Sequence, residues 1–318
     1  MNDILKQIEL LGIVPVVKLD DAKDALPLAK ALIDGGLPVA EITFRTNAAE
    51  SAIRQITEAY PQMLVGAGTV LTIDQIERAI DAGAKFIVTP GFNREIVEYC
   101  VERDIPITPG CPTTSDIEAA LSLGLDVVKF FPAENLGGIK MIKALAAPYV
   151  GVRFMPTGGI NTGNLNDYLT CDKVLACGGS WMVKDSLITA GKFDEIERIT
   201  REAVLKMLDF RFDHIGIHSP DDAGAAKTAA MFAKAFGFPN DDAPVSIWAT
   251  PEIEVMKNSI KGTRGHLAVH TNSIPRAIRY LTSIGVEMDE SSALYNEKGE
   301  VRLIYLKEEF GEFALHLC

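Results

Sequence analysis

No histidine occurs in the first 213 of the 318 residues; all five, His214, His218, His266, His270 and His316, lie in the last third. That gap excludes a Ser–His or Cys–His nucleophile and any histidine metal site from the N-terminal two thirds. Proton chemistry there falls to Lys, Glu, Asp, Tyr or water. The five cysteines, Cys100, Cys111, Cys171, Cys177 and Cys318, are odd in number and contain no CxxC pair, so they read as reduced thiols. Positive charge is short as well. There are 20 Lys and Arg against 28 Asp and Glu up to residue 209, and 11 against 15 beyond it. Neither part is basic, and nucleic acid is not an expected partner. Long hydrophobic runs are missing: a charge, Gly or Pro cuts each one before the ~18 residues a membrane span needs. Asp3, Lys6 and Glu9 interrupt the N-terminus, unlike a secretory signal. The expectation is a folded cytoplasmic chain with no membrane partner.

What the sequence does contain is a repeated unit: an amphipathic helix, a glycine stop, then a short run of Val, Ile or Phe. Ala31–Gly36 precedes Val39–Phe44, Ala79–Gly83 precedes Phe86–Pro90, and Ala120–Gly124 precedes Val127–Phe131. Each glycine falls where a helix ends in a left-handed residue. The apolar runs barely alternate, as in strands buried on both faces of a parallel sheet. The spacing predicts strands at Gly12–Val17, Val39–Phe44, Met63–Gly66, Phe86–Thr89, Ile105–Thr108, Val127–Phe130, Arg153–Pro156 and Val174–Ala176. Eight strands with intervening helices close most naturally into a (β/α)8 TIM barrel. An open doubly wound sheet is the alternative, and the absence of GxGxxG after the first strand argues against it.

Polar and glycine residues gather at the C-terminal ends of these strands, where such barrels carry chemistry. Glu41 and Arg45 end the second strand, Gly66–Thr69 the third and Thr89-Pro90-Gly91 the fourth. Lys129 ends the sixth, Thr157-Gly158-Gly159 the seventh and Gly178-Gly179-Ser180 the eighth. Lys129 interrupts Val127-Val128-Lys129-Phe130-Phe131, where an ammonium loses its hydration. A lysine so placed can present a free amine to a ketone. The alternative is a side chain that snorkels past the strand end or pairs with Glu134. The two glycine pairs at strands seven and eight suit a phosphate, with Ser180 as an added donor, or else are tight turns. Arg45 offers a fork for a carboxylate.

Together, Glu41-Ile42-Thr43-Phe44-Arg45-Thr46, Gly66-Ala67-Gly68-Thr69-Val70, Val128–Glu134, Pro156–Ile160 and Gly178–Trp181 resemble the 2-keto-3-deoxy-6-phosphogluconate / 4-hydroxy-2-oxoglutarate aldolase family. The likeness covers about residues 1–209. It implies a class I aldolase, free of metal and other cofactors and assembled as a homotrimer, acting on small keto-acid (phospho)sugars. Lys129 would form the Schiff base and Glu41 would be the general base. Arg45 and Thr69 would hold the carboxylate, and Pro90, Phe131 and Thr157 would line the pocket. Gly158, Gly159, Gly178, Gly179 and Ser180 would hold the phosphate. The family often has Pro where this chain has Lys184.

A charged helix, Lys192 to Leu208, closes the barrel reading, and from Phe212 the texture changes to alternating strands. The expected second domain, 210–318, is a smaller α+β unit of two similar halves. Phe212–His218, a helix over 221–236 and Ile253–Met256 form the first. His266–His270, a helix over 274–284, Leu303–Leu306 and Phe313–Leu317 form the second. Asp213–Ile217, Gly265–Val269, Ile253–Met256 and Ala314–Leu317 resemble the vicinal-oxygen-chelate fold of glyoxalases. That resemblance implies His214, Glu254, His266 and His316 as ligands of one divalent metal, with His316 where Glu is commoner. With the metal, the tail would add a metal-dependent isomerase or lyase step on a related keto acid; strand histidines without a metal, in a metabolite-binding or interaction module, are the alternative.

Overall fold

The computed structural model describes residues 2–258 and 261–318. The chain forms two compact units, Met1–Met207 and Leu208–Cys318. The first contains β1 (Ile13–Val17), β2 (Val39–Thr43), β3 (Leu64–Gly68), β4 (Phe86–Val88), β5 (Ile107–Thr108), β6 (Val127–Phe130), β7 (Arg153–Pro156) and β8 (Cys177–Gly179), with helices between them. These strands pair in parallel in the order β5-β4-β3-β2-β1-β8, with β6-β7 as a separate pair. Single bridges, Gly110 to Lys129 and Thr157 to Gly178, link that pair to β5 and β8. The result is a TIM-like parallel α/β unit. Its strands are buried along nearly their whole length, which is why the apolar runs do not alternate.

Helix punctuation follows the residues. Thr72 and Thr113 cap their helices through side-chain oxygens, Thr113 in a reciprocal box with Asp116. Gly83 leaves its helix at φ 101°, a conformation that strains any residue bearing a Cβ.

Two strands differ from expectation for one physical reason. The third runs to Gly68 rather than stopping at Gly66, and the eighth is Cys177–Gly179 rather than Val174–Ala176. Glycines that read as turns lie inside strands, because neighbouring side chains fill their Cβ positions. The Phe86 ring stands against Gly66, the Glu41 carboxylate against Gly68, Thr157 against Gly178 and the Trp181 ring against Gly179. Val174 makes only an isolated bridge, to Phe154.

The second unit is one eight-stranded sheet in the order β10-β11-β12-β9-β13-β16-β15-β14. Its strands are β9 (Arg211–Ile217), β10 (Asp241–Asp242), β11 (Ser246–Thr250), β12 (Ile253–Met256), β13 (Gly265–His270), β14 (Met288–Tyr295), β15 (Val301–Leu306) and β16 (Phe313–Leu317). Each half is a strand, a helix and three strands. β9 is parallel to β12, β13 is parallel to β16, and the halves meet where β9 runs antiparallel to β13. Ala225 and Ala229 of the helix Asp222–Phe236 pack on Ile247 and Val255. β10, β11 and β14 were not foreseen. β14 reads Met-Asp-Glu-Ser-Ser-Ala-Leu-Tyr at a sheet edge, where exposure removes the need for apolar alternation.

Candidate active site

Lys129 on β6 and Glu41 on β2 point into the first unit, and Lys129 Nζ donates to Glu41 Oε1 at 3.3 Å. Both are buried, at 6 % and 2 % exposure. Two charges so far from water persist only when paired. Gly68 on the neighbouring β3 leaves the space that the Glu41 carboxylate occupies. Glu134, the partner considered for Lys129, instead accepts from the Tyr168 hydroxyl. The Lys129 ammonium also lies 5.4 Å from the centroid of the Phe131 ring.

Phe131 forms part of the wall of a cavity of about 280 Å³, together with Arg45, Thr157, Gly158, Gly159, Gly179 and Ser180. Thr69, held at φ 53°, accepts from Arg45 Nε at 3.2 Å and so steadies the guanidinium. Gly158 and Gly159 have φ of 97° and 84°, side by side. Positive φ is a conformation that favours glycine, and the absence of Cβ atoms lets the backbone there approach a ligand closely. Gly178, which packs against Thr157, lies off the cavity wall, as do Lys129, Glu41, Thr69 and Pro90.

Sequence reasoning missed three polar residues of that wall: Lys18, Thr43 and Asp185. Lys18 follows β1, so the strand-end rule applied to the other strands would have found it. Its ammonium contacts Asp20 at 2.8 Å and Asp185 at 3.4 Å. The hydrogen bond to Asp20, followed by the charges of both carboxylates, raises Lys18 above its ordinary range. Asp185, directly after Lys184, places an acidic group at the cavity.

In the second unit four expected donors converge. His214 Nε2 lies 3.2 Å from His266 Nε2, Glu254 Oε2 lies 3.2 Å from His266 Nε2 and 3.5 Å from His214 Nε2. Donor atoms of His214, His266 and His316 fall within 4.8 Å of one another. Gly216, opposite His266 in the register, has its Cβ position filled by that imidazole. Burial pushes His316 down to about 4, with His266 acting the same way, so its ring is neutral near pH 7. Burial works to raise Glu254, but the imidazoles of His266 and His214 and the Ser246 hydroxyl outweigh it and hold the carboxyl low. A neutral His316 ring and an ionised Glu254 carboxylate are states that bind divalent cations. The donor set fits such an ion. Sequence reasoning missed Asp213, which meets His214 Nδ1 at 2.7 Å, and Tyr305, whose ring packs on His266 and His316.

The model of the KDPG and KHG aldolase family matches residues 3–199. A 2-dehydro-3-deoxy-phosphogluconate aldolase of Haemophilus influenzae is 51% identical over 203 residues, 64% of this chain and 96% of that protein. A KHG/KDPG aldolase of Escherichia coli K12 is 44% identical over 192 residues, 60% of this chain and 90% of its own. Among solved structures, a KDPG aldolase of Legionella pneumophila, with pyruvate captured as a covalent carbinolamine, superposes with a TM-score of 0.62 at 36% identity. It covers 64% of this chain and 98% of its own. The fold, the buried lysine–carboxylate pair and these relatives define an enzyme of the lyase class. The chain belongs to the KDPG and KHG aldolase family. Among the described residues no helix is long and apolar enough to cross a membrane.

Proposed function

We propose that the first unit, a (β/α)8 barrel, is a class I aldolase needing no metal. It cleaves 2-keto-3-deoxy-6-phosphogluconate to pyruvate and glyceraldehyde 3-phosphate, and 4-hydroxy-2-oxoglutarate to pyruvate and glyoxylate. The observation that carries this reading is the buried Lys129–Glu41 pair at 3.3 Å, with Lys129 against Phe131, a residue of the cavity wall that also holds Arg45, Gly158 and Gly159. Glu41 takes a proton from the ammonium, and the freed amine attacks the C2 ketone. The carbinolamine loses water, with Glu41 returning the proton to the departing hydroxyl, and a protonated imine forms. Glu41 then removes the C4 hydroxyl proton. The C3–C4 bond breaks, its electron pair moves into the imine, and the aldehyde leaves. Protonation of the resulting enamine at C3 and hydrolysis release pyruvate and restore the amine.

Arg45, steadied by Thr69, receives the substrate carboxylate, while Phe131 and Thr157 flank the reacting carbons and Pro90 supports them. Gly158 and Gly159 supply N–H groups to the phosphate with the Ser180 hydroxyl, while Gly178 and Gly179, expected there too, instead make room for Thr157 and the Trp181 ring. Lys18 gives this subsite its cation. Assembly as a homotrimer, tested by light scattering, belongs to the same reading. Borohydride added with pyruvate should inactivate the enzyme and leave one pyruvyl-derived mass on the peptide carrying Lys129. A label on Lys18 or Lys173 instead would overturn the assignment.

For the second unit the reading is a vicinal-oxygen-chelate-like module with His214, Glu254, His266 and His316 as ligands of one divalent metal. The convergence of these donors and the twofold strand–helix–three-strand plan support it. Metal analysis of the purified chain tests it.

A further inference from the structure

We propose that Asp185 is a specificity-determining residue of the aldolase cavity: its carboxylate competes with the substrate's phosphate for Lys18 and so restrains the preference for phosphorylated over unphosphorylated keto acids. This rests on the phosphate-subsite reading given above for Lys18 and Ser180.

The charges on the cavity wall set up the competition. Among the described residues of that wall, Lys18, Arg45 and Asp185 are the charged ones. With Arg45 given to the substrate carboxylate, Lys18 is the cation left for a phosphate, and it is already engaged. Its Nζ stands 2.8 Å from Asp20 and 3.4 Å from Asp185. One positive and two negative groups leave this end of the site with a net charge of −1 before any ligand arrives. A phosphate monoester brings about −1.5 to −2 more near pH 7. It gains Lys18 only by loosening the ammonium from its carboxylates, and it then lies near a charge of its own sign.

The two carboxylates are not equivalent. Asp20 is not part of the cavity wall. Together with Lys18 and Asp185 it lines a neighbouring cavity of about 550 Å³, which also holds Asp21, Lys23 and Asp24. Lys18 and Asp185 are thus common to both spaces, and the shorter contact with Asp20 draws the ammonium towards the outer one. Asp185, by contrast, shares its wall with Ser180, Gly158 and Gly159.

Local structure keeps Asp185 in that place. It opens the short helix Asp185–Thr189, where unpaired backbone N–H groups favour an acidic side chain. The segment running to it from Ser180 is anchored by the buried side chains of Met182, Val183 and Ile188. Within it the Val183 N–H donates to the Ser180 carbonyl at 3.1 Å, and the Leu187 N–H to the Lys184 carbonyl at 2.9 Å. The backbone of Asp185 therefore stays with that of Ser180, whereas the Lys18 ammonium rides on a flexible four-carbon stem. A phosphate can draw Lys18 inward, but the acidic residue remains on the wall beside it.

Steady-state cleavage of 2-keto-3-deoxy-6-phosphogluconate and of 4-hydroxy-2-oxoglutarate by the full chain tests this, with inorganic phosphate as a competitive inhibitor of the second reaction. Asp185→Asn should lower KM for the phosphorylated substrate about fivefold, the upper end for a partly exposed charge pair. The inhibition constant of inorganic phosphate should fall by a similar factor, while KM for hydroxyoxoglutarate moves less than about twofold. In 1 M KCl, where charges act over about 3 Å, the gain should shrink below about twofold. Asp20→Asn, which loosens Lys18 but removes no charge from the cavity wall, should gain less. An unchanged or higher KM for the phosphorylated substrate in Asp185→Asn overturns the proposal, as does a gain that persists in 1 M KCl or is matched by Asp20→Asn. Each of these leaves the phosphate subsite standing. If Ser180→Ala and Lys18→Met spare the phosphorylated substrate and inorganic phosphate does not inhibit, the subsite reading falls and this proposal with it.

Discussion

At Lys129 and Glu41 two residues 88 positions apart in sequence share one hydrogen bond, and that bond makes their roles separable. If Glu41 moves protons rather than merely holding Lys129, Glu41→Gln should slow borohydride trapping, since the carboxylate serves imine formation. It should lower turnover more, about 10²–10⁴-fold, since the C4 hydroxyl proton also passes to it. An equal loss of trapping would recast Glu41 as a positioning group. Lys18 supports a different experiment because it stands with Ser180 and Gly159 on the cavity wall. Lys18→Met should raise KM for the phosphorylated substrate about 10-fold, a lost hydrogen bond between charged groups being worth about 1.5 kcal/mol or more. It should leave hydroxyoxoglutarate unaffected, since that substrate has no phosphate to hold. Equal effects on both would remove Lys18 from the phosphate subsite. Lys129 was legible because a cation in a Val-Val-x-Phe-Phe run contradicts its surroundings. Lys18 stands in a similar Val-Val-Lys-Leu stretch and is half-buried, so the same signal was present there, diluted by the Asp20-Asp21 pair that follows.

Elements were legible where burial dictated composition and obscure where it did not. The parallel strands announced themselves as unbroken apolar runs, but Gly68, Gly178 and Gly179 read as lying past the ends of their strands. Their signal is the bulk of Glu41, Thr157 and Trp181 beside them, and one strand's sequence does not carry it. The same burial governs two thiols, Cys100 on the helix Arg94–Glu102 and Cys111 after β5. Desolvation pushes both from 9.0 up to about 12. Above pH 9 the unfolded thiol ionises while the folded one does not, so the unfolded state binds fewer protons and stability falls as pH rises towards 12. Each thiol should cost about 1.4 kcal/mol by pH 10. Denaturant midpoints at pH 8 and pH 10 should therefore converge in Cys100→Ala and Cys111→Ala relative to the unaltered chain. An unchanged difference would show that these thiols do not set the alkaline limit.

Across the whole molecule, the aldolase likeness and the histidines divide along the chain. The unit whose relatives are aldolases holds no histidine, and the unit holding all five lies beyond residue 199, where the family match ends. The topology of the second unit could be half read from the repeated Gly-His and Asp-His strand openings. Its register could not, because pairing Tyr305 with His316 depends on a sheet order that no short motif encodes. Imine chemistry at Lys129 draws the C3–C4 electron pair into a protonated nitrogen, so it asks nothing of a cation. Dialysis of the full chain against a strong chelator should thus remove the ion from the histidine cluster while steady-state cleavage stays within about twofold, well under the tenfold that 1.36 kcal/mol of lost transition-state binding would produce. Metal content and turnover measured on the same sample decide the matter. Activity that falls in proportion to the metal removed, and returns when Zn(II) is restored, would place a metal in the aldol reaction and end the division of labour drawn here.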